Sequence, residues 1–283
     1  GINSNDKNLS AKMDRYLESA ALVVFAQYGS MNDVFEVLRD YKARQKYLQG
    51  IPGDLKTYLQ EYSDSLVELD DTDKQGNVVG TRMSAVVGIL DRVARMKRNT
   101  AMEIMLKKGC DNSLNMLNEI QKPQLIIIRM PDSRFATSEE KDFMCTYWFS
   151  KLWLTLQLRD TIIKDRSKRV KTNIIFDELY QIPYTQTLLT EKLSQIAKFD
   201  AKPLISCHYL GQIPIIRDEL KAANSSYMLI SGCDKDNYRE LKSELYPYTE
   251  EDLLNLKRYN SLNLIKFEDG WAKFITKLPP PIQ

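Results

Sequence analysis

The stretch Lys171-Thr-Asn-Ile-Ile-Phe-Asp177-Glu178-Leu-Tyr-Gln181 decides how the rest of the chain is interpreted. Its unbroken apolar run, Ile174 to Phe176, is typical of a fully buried strand in a parallel sheet. Residues just past the carboxyl end of such a strand face the crevice where open α/β sheets bind ligands. Asp177 and Glu178 stand at that point, which predicts a ligand site. The simpler alternative is that Asp177 caps the helix that follows.

The composition narrows the class of protein. The chain has 283 residues, 40 of them basic and 38 acidic, so it can form one large domain or two modest ones and has no general basic character. Its four cysteines are isolated, which suits a reducing cytoplasm, and its one histidine is His208. A zinc site is therefore not expected, and the apolar run at residues 20–26 is too short to span a bilayer.

Residues 1–120 carry apolar side chains at helical spacing and show no convincing strand, so they predict an all-α subdomain. A polar loop is expected at residues 70–77. Four basic residues cluster on the predicted helix near the end of this part: Arg92, Arg95, Lys97 and Arg98. Such a helix face is either simply solvated or in contact with nucleic-acid phosphates.

Residues 121–283 alternate apolar runs with helical patterns, which predicts an α/β fold with a mostly parallel, right-handed sheet. The expected strands are residues 125–129, 173–176, 203–207 and 227–230. Near the end, Glu268-Asp-Gly270 separates two alternating runs, which is a strong signal for a carboxyl-terminal β-hairpin.

The order of these pieces resembles the FtsK–HerA superfamily of P-loop DNA-pumping ATPases. Residues 173–178 are similar to a Walker B strand, and Ala197-Lys-Phe-Asp-Ala-Lys-Pro-Leu-Ile-Ser-Cys-His-Tyr-Leu-Gly-Gln212 is similar to the next conserved segment. The strand led by Asn224, the stretch 248–256 and the Asp269-Gly270 turn resemble the family's carboxyl-terminal end. The resemblance points to the conjugation and type IV secretion ATPases, including their coupling proteins.

This resemblance implies a RecA-like core with an inserted helical subdomain, and ATP and Mg²⁺ as cofactors of the full-length protein. Asp177 would hold Mg²⁺, Glu178 would orient the hydrolytic water and His208 would report the phosphate state. The implied partners are DNA, sister subunits in a ring that is hexameric at full length, and secretion-channel or relaxosome proteins. The implied location is the cytoplasm, at the inner face of the membrane through a secretion complex, with no membrane segment in this chain.

Three departures qualify the resemblance. No G-x-x-x-x-G-K-[ST] loop occurs in the sequence, and truncation is the simplest explanation: a carboxyl-terminal part of a longer ATPase, inactive by itself. Cys207-His208-Tyr209 stands where the family usually has glutamine, which leaves the γ-phosphate sensor open. Lys198 replaces an arginine often found there, which weakens any inter-subunit arginine finger.

Two further residues, and the chain as a whole, have a second interpretation. His208 can be a histidine without a catalytic role, and Arg217 can either reach a neighbouring subunit's phosphate or form a surface ion pair. The whole chain can be a non-catalytic adaptor or interaction module derived from such an ATPase. A phage-type packaging motor would share the same strand chemistry.

Overall fold

The structure is a computed structural model that describes residues 11–107, 114–223, 225–230 and 235–279. Cys110, Asn224 and Cys233 lie outside the described residues. The chain divides into two compact units. The first consists of Gly1–Asn115 with Met130–Ala136, and the second of Met116–Arg129 with Thr137–Gln283.

The first unit is mainly helical. Its elements are α1 (Ala11–Phe25), α2 (Met31–Arg39), α3 (Tyr41–Gln49), α4 (Lys56–Val67), β1 (Asp70–Thr72), β2 (Val78–Thr81), α5 (Val87–Lys97) and α6 (Thr100–Lys107). Val24, Val34, Leu38 and Leu66 are fully buried in one core. On α2, for example, Val34, Val37 and Leu38 lie three or four residues apart and are all buried, and burial of such a face holds the helices together.

A small hairpin corrects the prediction of an all-α subdomain with a loop at residues 70–77. Strands β1 and β2 pair antiparallel, with Asp70 opposite Thr81. Asp73 closes the turn, because its Oδ1 accepts the backbone N–H groups of Gln75 and Asn77 at 2.9 and 2.8 Å. The prediction was wrong because this polar stretch was interpreted only as a loop. Its polar residues in fact form the tight turn of a hairpin, which the Asp73 side chain stabilises.

The second unit is mixed α/β. Its elements are α7 (Met116–Glu119), α8 (Ser138–Ile162), β3 (Thr172–Phe176), α9 (Pro183–Ile196), β4 (Ala201–Ile205), α10 (Pro214–Ala222), β5 (Tyr227–Ile230), α11 (Lys235–Glu240), α12 (Lys242–Leu245), α13 (Glu250–Leu254), β6 (Asn260–Phe267) and β7 (Gly270–Lys277).

The strands of this unit form two small sheets. Strands β3 and β4 pair parallel, joined through helix α9, with Thr172 opposite Ala201 and Phe176 opposite Ile205. Strands β5, β6 and β7 form an antiparallel sheet in that order. The predicted carboxyl-terminal hairpin is confirmed, since β6 and β7 pair up to Phe267 and Gly270. Within the described ranges, parallel pairing is confined to β3 and β4.

Segment 125–129 contradicts the prediction of a buried strand. It belongs to no strand, and all five residues are exposed, with Leu125 at 76% and Ile127 at 68%. An apolar run indicates a tendency to be buried, but a strand also needs a partner for its backbone groups. The strand predicted at residues 203–207 begins earlier, at Ala201, and ends at Ile205.

Helix α8 holds the parallel pair in register. The rings of Phe149 and Trp153 pack edge-on against Phe176 and Phe199, with centroids 5.3 and 5.1 Å apart. The buried guanidinium of Arg159 donates to the carbonyls of Val170 and Phe199 and to the Thr172 hydroxyl. Arg159 therefore links the start of β3 to the turn before β4.

Helix α8 is also the longest of the described helices, with 25 residues. It carries charged residues along its length, among them Lys151 and Asp160. Across the part of the chain that the structure describes, no helix combines the length and apolar character needed to cross a membrane.

Candidate functional site

The ends of β3 and β4 bring the predicted site residues to one sheet edge. Because the two strands run parallel and end at the opposed residues Phe176 and Ile205, the residues that follow them emerge side by side. Asp177 and Glu178 follow β3, and Ser206 follows β4 directly. His208 lies three residues beyond the end of β4, because the strand is shorter than predicted at that end.

Asp177 is held by the neighbouring strand. The Ser206 hydroxyl donates to its Oδ1 at 2.6 Å, and the Ser206 backbone N–H donates to the carbonyl of Phe176 at 3.0 Å. The Asp177 side chain is exposed. A carboxylate that accepts a short hydrogen bond through one oxygen can still offer lone pairs to a cation.

Glu178 has a left-handed backbone, with φ 52° and ψ 50°. This conformation is uncommon for a residue with a side chain and persists only where the surroundings enforce it. Its N–H donates to the Ser206 hydroxyl at 2.9 Å, and its carboxylate accepts from Nε2 of Gln181. Gln181 in turn accepts from Nζ of Lys141 at 2.8 Å, so the acid is connected to a positive charge.

The amino end of α9 is capped by Asp142 and not by Asp177. The alternative interpretation of Asp177 as a helix cap therefore does not hold for α9. The first amides of α9, those of Tyr184 and Thr185, donate to the Asp142 carboxylate at 2.6 and 3.0 Å. Burial raises the pKa of Asp142 above its usual value, although its hydrogen bonds with Tyr184 and Thr185 oppose the shift. Asp142 therefore stabilises the amino end of α9, and the Asp177 carboxylate remains available at the edge of the sheet.

His208 is exposed, and its backbone is fixed. Its N–H donates to Oε1 of Gln212 at 2.9 Å, and its carbonyl accepts from Asn237 at 3.4 Å. Its ring lies beside that of Tyr180, with centroids 5.7 Å apart and an angle of 42°. The structure thus brings His208 and Tyr180 together at the same edge as the two acids.

Arg217 forms ion pairs, which is the second of its two predicted roles. Its guanidinium lies 3.0 Å from Asp218 and 2.9 Å from Glu240. The hydrogen bond to Asp218, aided by the charge of Glu240, raises the pKa of Arg217 above its usual value. Since both partners lie within the same unit, Arg217 already has a local electrostatic function.

The oxygen donors at the sheet edge fit Mg²⁺ in their chemistry. Mg²⁺ in nucleotide sites takes one or two carboxylates and completes its shell with water and phosphate oxygens. Asp177, Glu178 and the Ser206 hydroxyl are hard oxygen ligands of this kind. No group of three or more His, Cys, Asp or Glu side chains capable of holding a metal occurs among the described residues, so a metal here would need ligands from water or a bound molecule.

The four basic residues predicted to face nucleic acid differ in their surroundings. Arg92 is half-buried and donates to the carbonyl of Gly88 at 2.8 Å. Lys97 is also half-buried and donates to Oδ1 of Asn32 at 2.5 Å. Arg95 and Arg98 are exposed. Of the four, this second pair is the one presented to solvent, on and just after α5.

Sequence reasoning missed three residues that shape the site: Ser206, Gln181 and Asp142. Ser206 can be recognised only once the register of β3 and β4 is known, since it follows Ile205, the residue opposite Phe176. Gln181 is the last residue of the stretch 171–181, and its position in the sequence indicates no role. Asp142 lies 42 residues before the amide that it caps, and no local pattern indicates such a contact.

Comparisons with protein-family models, with curated proteins and with solved structures give no match. Similarity therefore assigns neither a family nor a function to the chain.

Proposed function

We propose that the chain is the carboxyl-terminal part of an ATP-driven DNA-translocating motor of the FtsK–HerA type, from the branch that serves conjugation and type IV secretion. The observation that carries the proposal is the contact of Asp177 and Glu178 with Ser206 at the carboxyl ends of two parallel strands. Ligand sites of open α/β sheets occur at such strand ends.

Each site residue has a role in this proposal. Asp177 would hold Mg²⁺, Glu178 would orient the attacking water, and His208 would report the phosphate state. When bound at these residues, the metal would supply charge neutralisation for phosphoryl transfer. The hydrogen bonds of Ser206 and Gln181 hold the two acids in place before substrate arrives, which reduces the cost of positioning.

The 283-residue chain by itself is expected to hydrolyse ATP very slowly or not at all. It has no phosphate-cradling loop or lysine of the G-x-x-x-x-G-K-[ST] type, so the triphosphate is not positioned even if both acids are in place. Phosphate release by the purified chain is the measurement. Turnover that disappears with Glu178→Gln would show that the chain carries a complete site.

Two observations favour a second candidate, a non-catalytic adaptor derived from such an ATPase. Segment 125–129 is exposed and unpaired, and parallel pairing among the described residues joins only β3 and β4. Sequencing the coding region before Gly1 separates the candidates. The motor predicts an in-frame phosphate-binding loop there, whereas a start codon directly before Gly1 supports the adaptor.

Contact with DNA is proposed for the exposed pair Arg95 and Arg98. Each phosphate contact releases counterions, so replacing both residues with alanine should reduce the slope of log affinity against log salt by about 2. Titration of labelled duplex DNA at several salt concentrations measures this slope. Arg39→Ala is the control, because Arg39 is exposed and pairs with Glu36 on α2. An unchanged slope means that the pair is merely solvated.

The remaining partners follow from the proposed class. The motor would assemble with sister subunits in a ring, a hexamer at full length, and would meet secretion-channel or relaxosome proteins. Its proposed location is the cytoplasm, at the inner face of the membrane through the secretion complex.

A further inference from the structure

We propose that Ser206 is the positioning residue of this site, and that its single hydroxyl sets the orientation of both acids. The inference rests on the proposed function, because it gives Ser206 a purpose only if Asp177 and Glu178 act on a metal-bound phosphate. Nothing in the sequence pattern marks Ser206, which stands between β4 and His208.

The hydroxyl connects the two acids in one chain of hydrogen bonds. It accepts the Glu178 N–H at 2.9 Å and donates its proton to Oδ1 of Asp177 at 2.6 Å. A serine hydroxyl has one proton to donate, and a carboxylate only accepts, so the direction of this chain is determined. The short distance to Asp177 is that of a charge-assisted hydrogen bond.

The backbone of Ser206 is fixed at the same time. Its N–H donates to the Phe176 carbonyl at 3.0 Å, and its own carbonyl accepts the Leu179 N–H at 3.2 Å. Ser206 therefore contacts the chain before, within and after the acidic pair. The strand register places this one side chain so that it can act on both acids.

The consequences differ for the two acids. Asp177 loses rotational freedom when Oδ1 is held, so its carboxylate presents a constant direction to a hydrated cation. Glu178 keeps its left-handed backbone because its N–H has a fixed acceptor, and this backbone directs its side chain to Gln181. Removing the hydroxyl should thus loosen both acids without removing either.

Mn²⁺, used alone as a spectroscopic stand-in for Mg²⁺, tests the inference on the 283-residue chain. Paramagnetic resonance gives the Mn²⁺ affinity, and amide hydrogen exchange reports the Glu178 N–H. Ser206→Ala is expected to weaken Mn²⁺ binding and to speed Glu178 exchange, each on the order of ten-fold, as loss of a charge-assisted hydrogen bond implies. Ser206→Thr keeps a hydroxyl and should restore both values. Ser194→Ala, at an exposed serine on α9, is the matched control.

Asp177→Asn separates the two levels of the proposal. If this change leaves Mn²⁺ affinity untouched, or if the chain binds no Mn²⁺, the proposed metal site fails and the role of Ser206 fails with it. If Asp177→Asn abolishes binding while Ser206→Ala matches the wild type, only the inference about Ser206 is overturned. That inference is also overturned if Ser206→Thr is as damaging as Ser206→Ala.

Discussion

Under the proposed function, Glu178→Gln in the full-length motor is expected to lower ATP hydrolysis by about 10²–10⁴-fold, the usual contribution of one positioned catalytic acid. Glutamine has nearly the same shape and keeps an oxygen that can accept from Gln181, so the local structure is retained. Its NH2 group, however, replaces the second oxygen and cannot accept a hydrogen bond from the attacking water, so the water is no longer oriented. Steady-state phosphate release measures the effect, and DNA translocation should stop with it.

The matched control is Glu219→Gln, because Glu219 is an exposed acid on α10 in the same unit. It should hydrolyse ATP at the wild-type rate. Nucleotide affinity and the melting temperature should be unchanged in both variants, since neither acid contributes to the core. Near-normal hydrolysis by Glu178→Gln would mean that another residue orients the water.

Arg44→Met is expected to destabilise the first unit by about 3–5 kcal/mol, the typical cost of breaking a buried ion pair by removing one partner. Arg44 is 0% exposed and holds Oδ1 of Asp70 through Nε and Nη2 at 2.8 and 2.6 Å. It also donates to the Val37 carbonyl at 2.8 Å and to the Thr81 hydroxyl at 3.2 Å. Methionine would leave the Asp70 charge buried without this partner.

Urea unfolding followed by circular dichroism measures the change in free energy. Arg39→Ala is the control, because its ion pair with Glu36 is exposed and should be worth about 0–1 kcal/mol. Adding Asp70→Leu to Arg44→Met should recover much of the loss, since the unpaired charge is then gone. A loss of less than about 1 kcal/mol for Arg44→Met would contradict the role assigned to this pair.

Local patterns were enough to predict several elements of the second unit. Strand β3 is an apolar run followed by two acids, and the hairpin of β6 and β7 turns at Glu268-Asp269, before Gly270 with its positive φ of 155°. Each of these signals is contained within a few neighbouring residues. Both elements could therefore be predicted without information from distant parts of the chain.

The features that sequence reasoning missed depend on distant contacts. Strand β1 is anchored by Arg44, which lies 26 residues away from Asp70. The cap of α9 comes from Asp142 on another helix, and Ser206 reaches Asp177 only through strand register. Composition and periodicity describe neighbours along the chain, so they cannot supply partners of this kind.

Segment 125–129 shows the opposite error. Its composition is that of a buried strand, yet it is exposed and unpaired. Parallel strands are normally covered on both faces, and Ile175 on β3 and Leu204 on β4 are exposed at 66% and 49%. The apolar pattern thus indicates that the segment favours burial. It does not identify the strand or helix that would bury it.

A structure of the full-length protein with Mg²⁺ and a non-hydrolysable ATP analogue tests most directly whether Asp177 and Glu178 face a magnesium-bound triphosphate. We expect the Asp177 carboxylate in the hydration shell of the metal and Glu178 facing the γ-phosphate. We also expect segment 125–129 to pair in the same sheet as β3. A triphosphate bound away from both acids would contradict the proposed function.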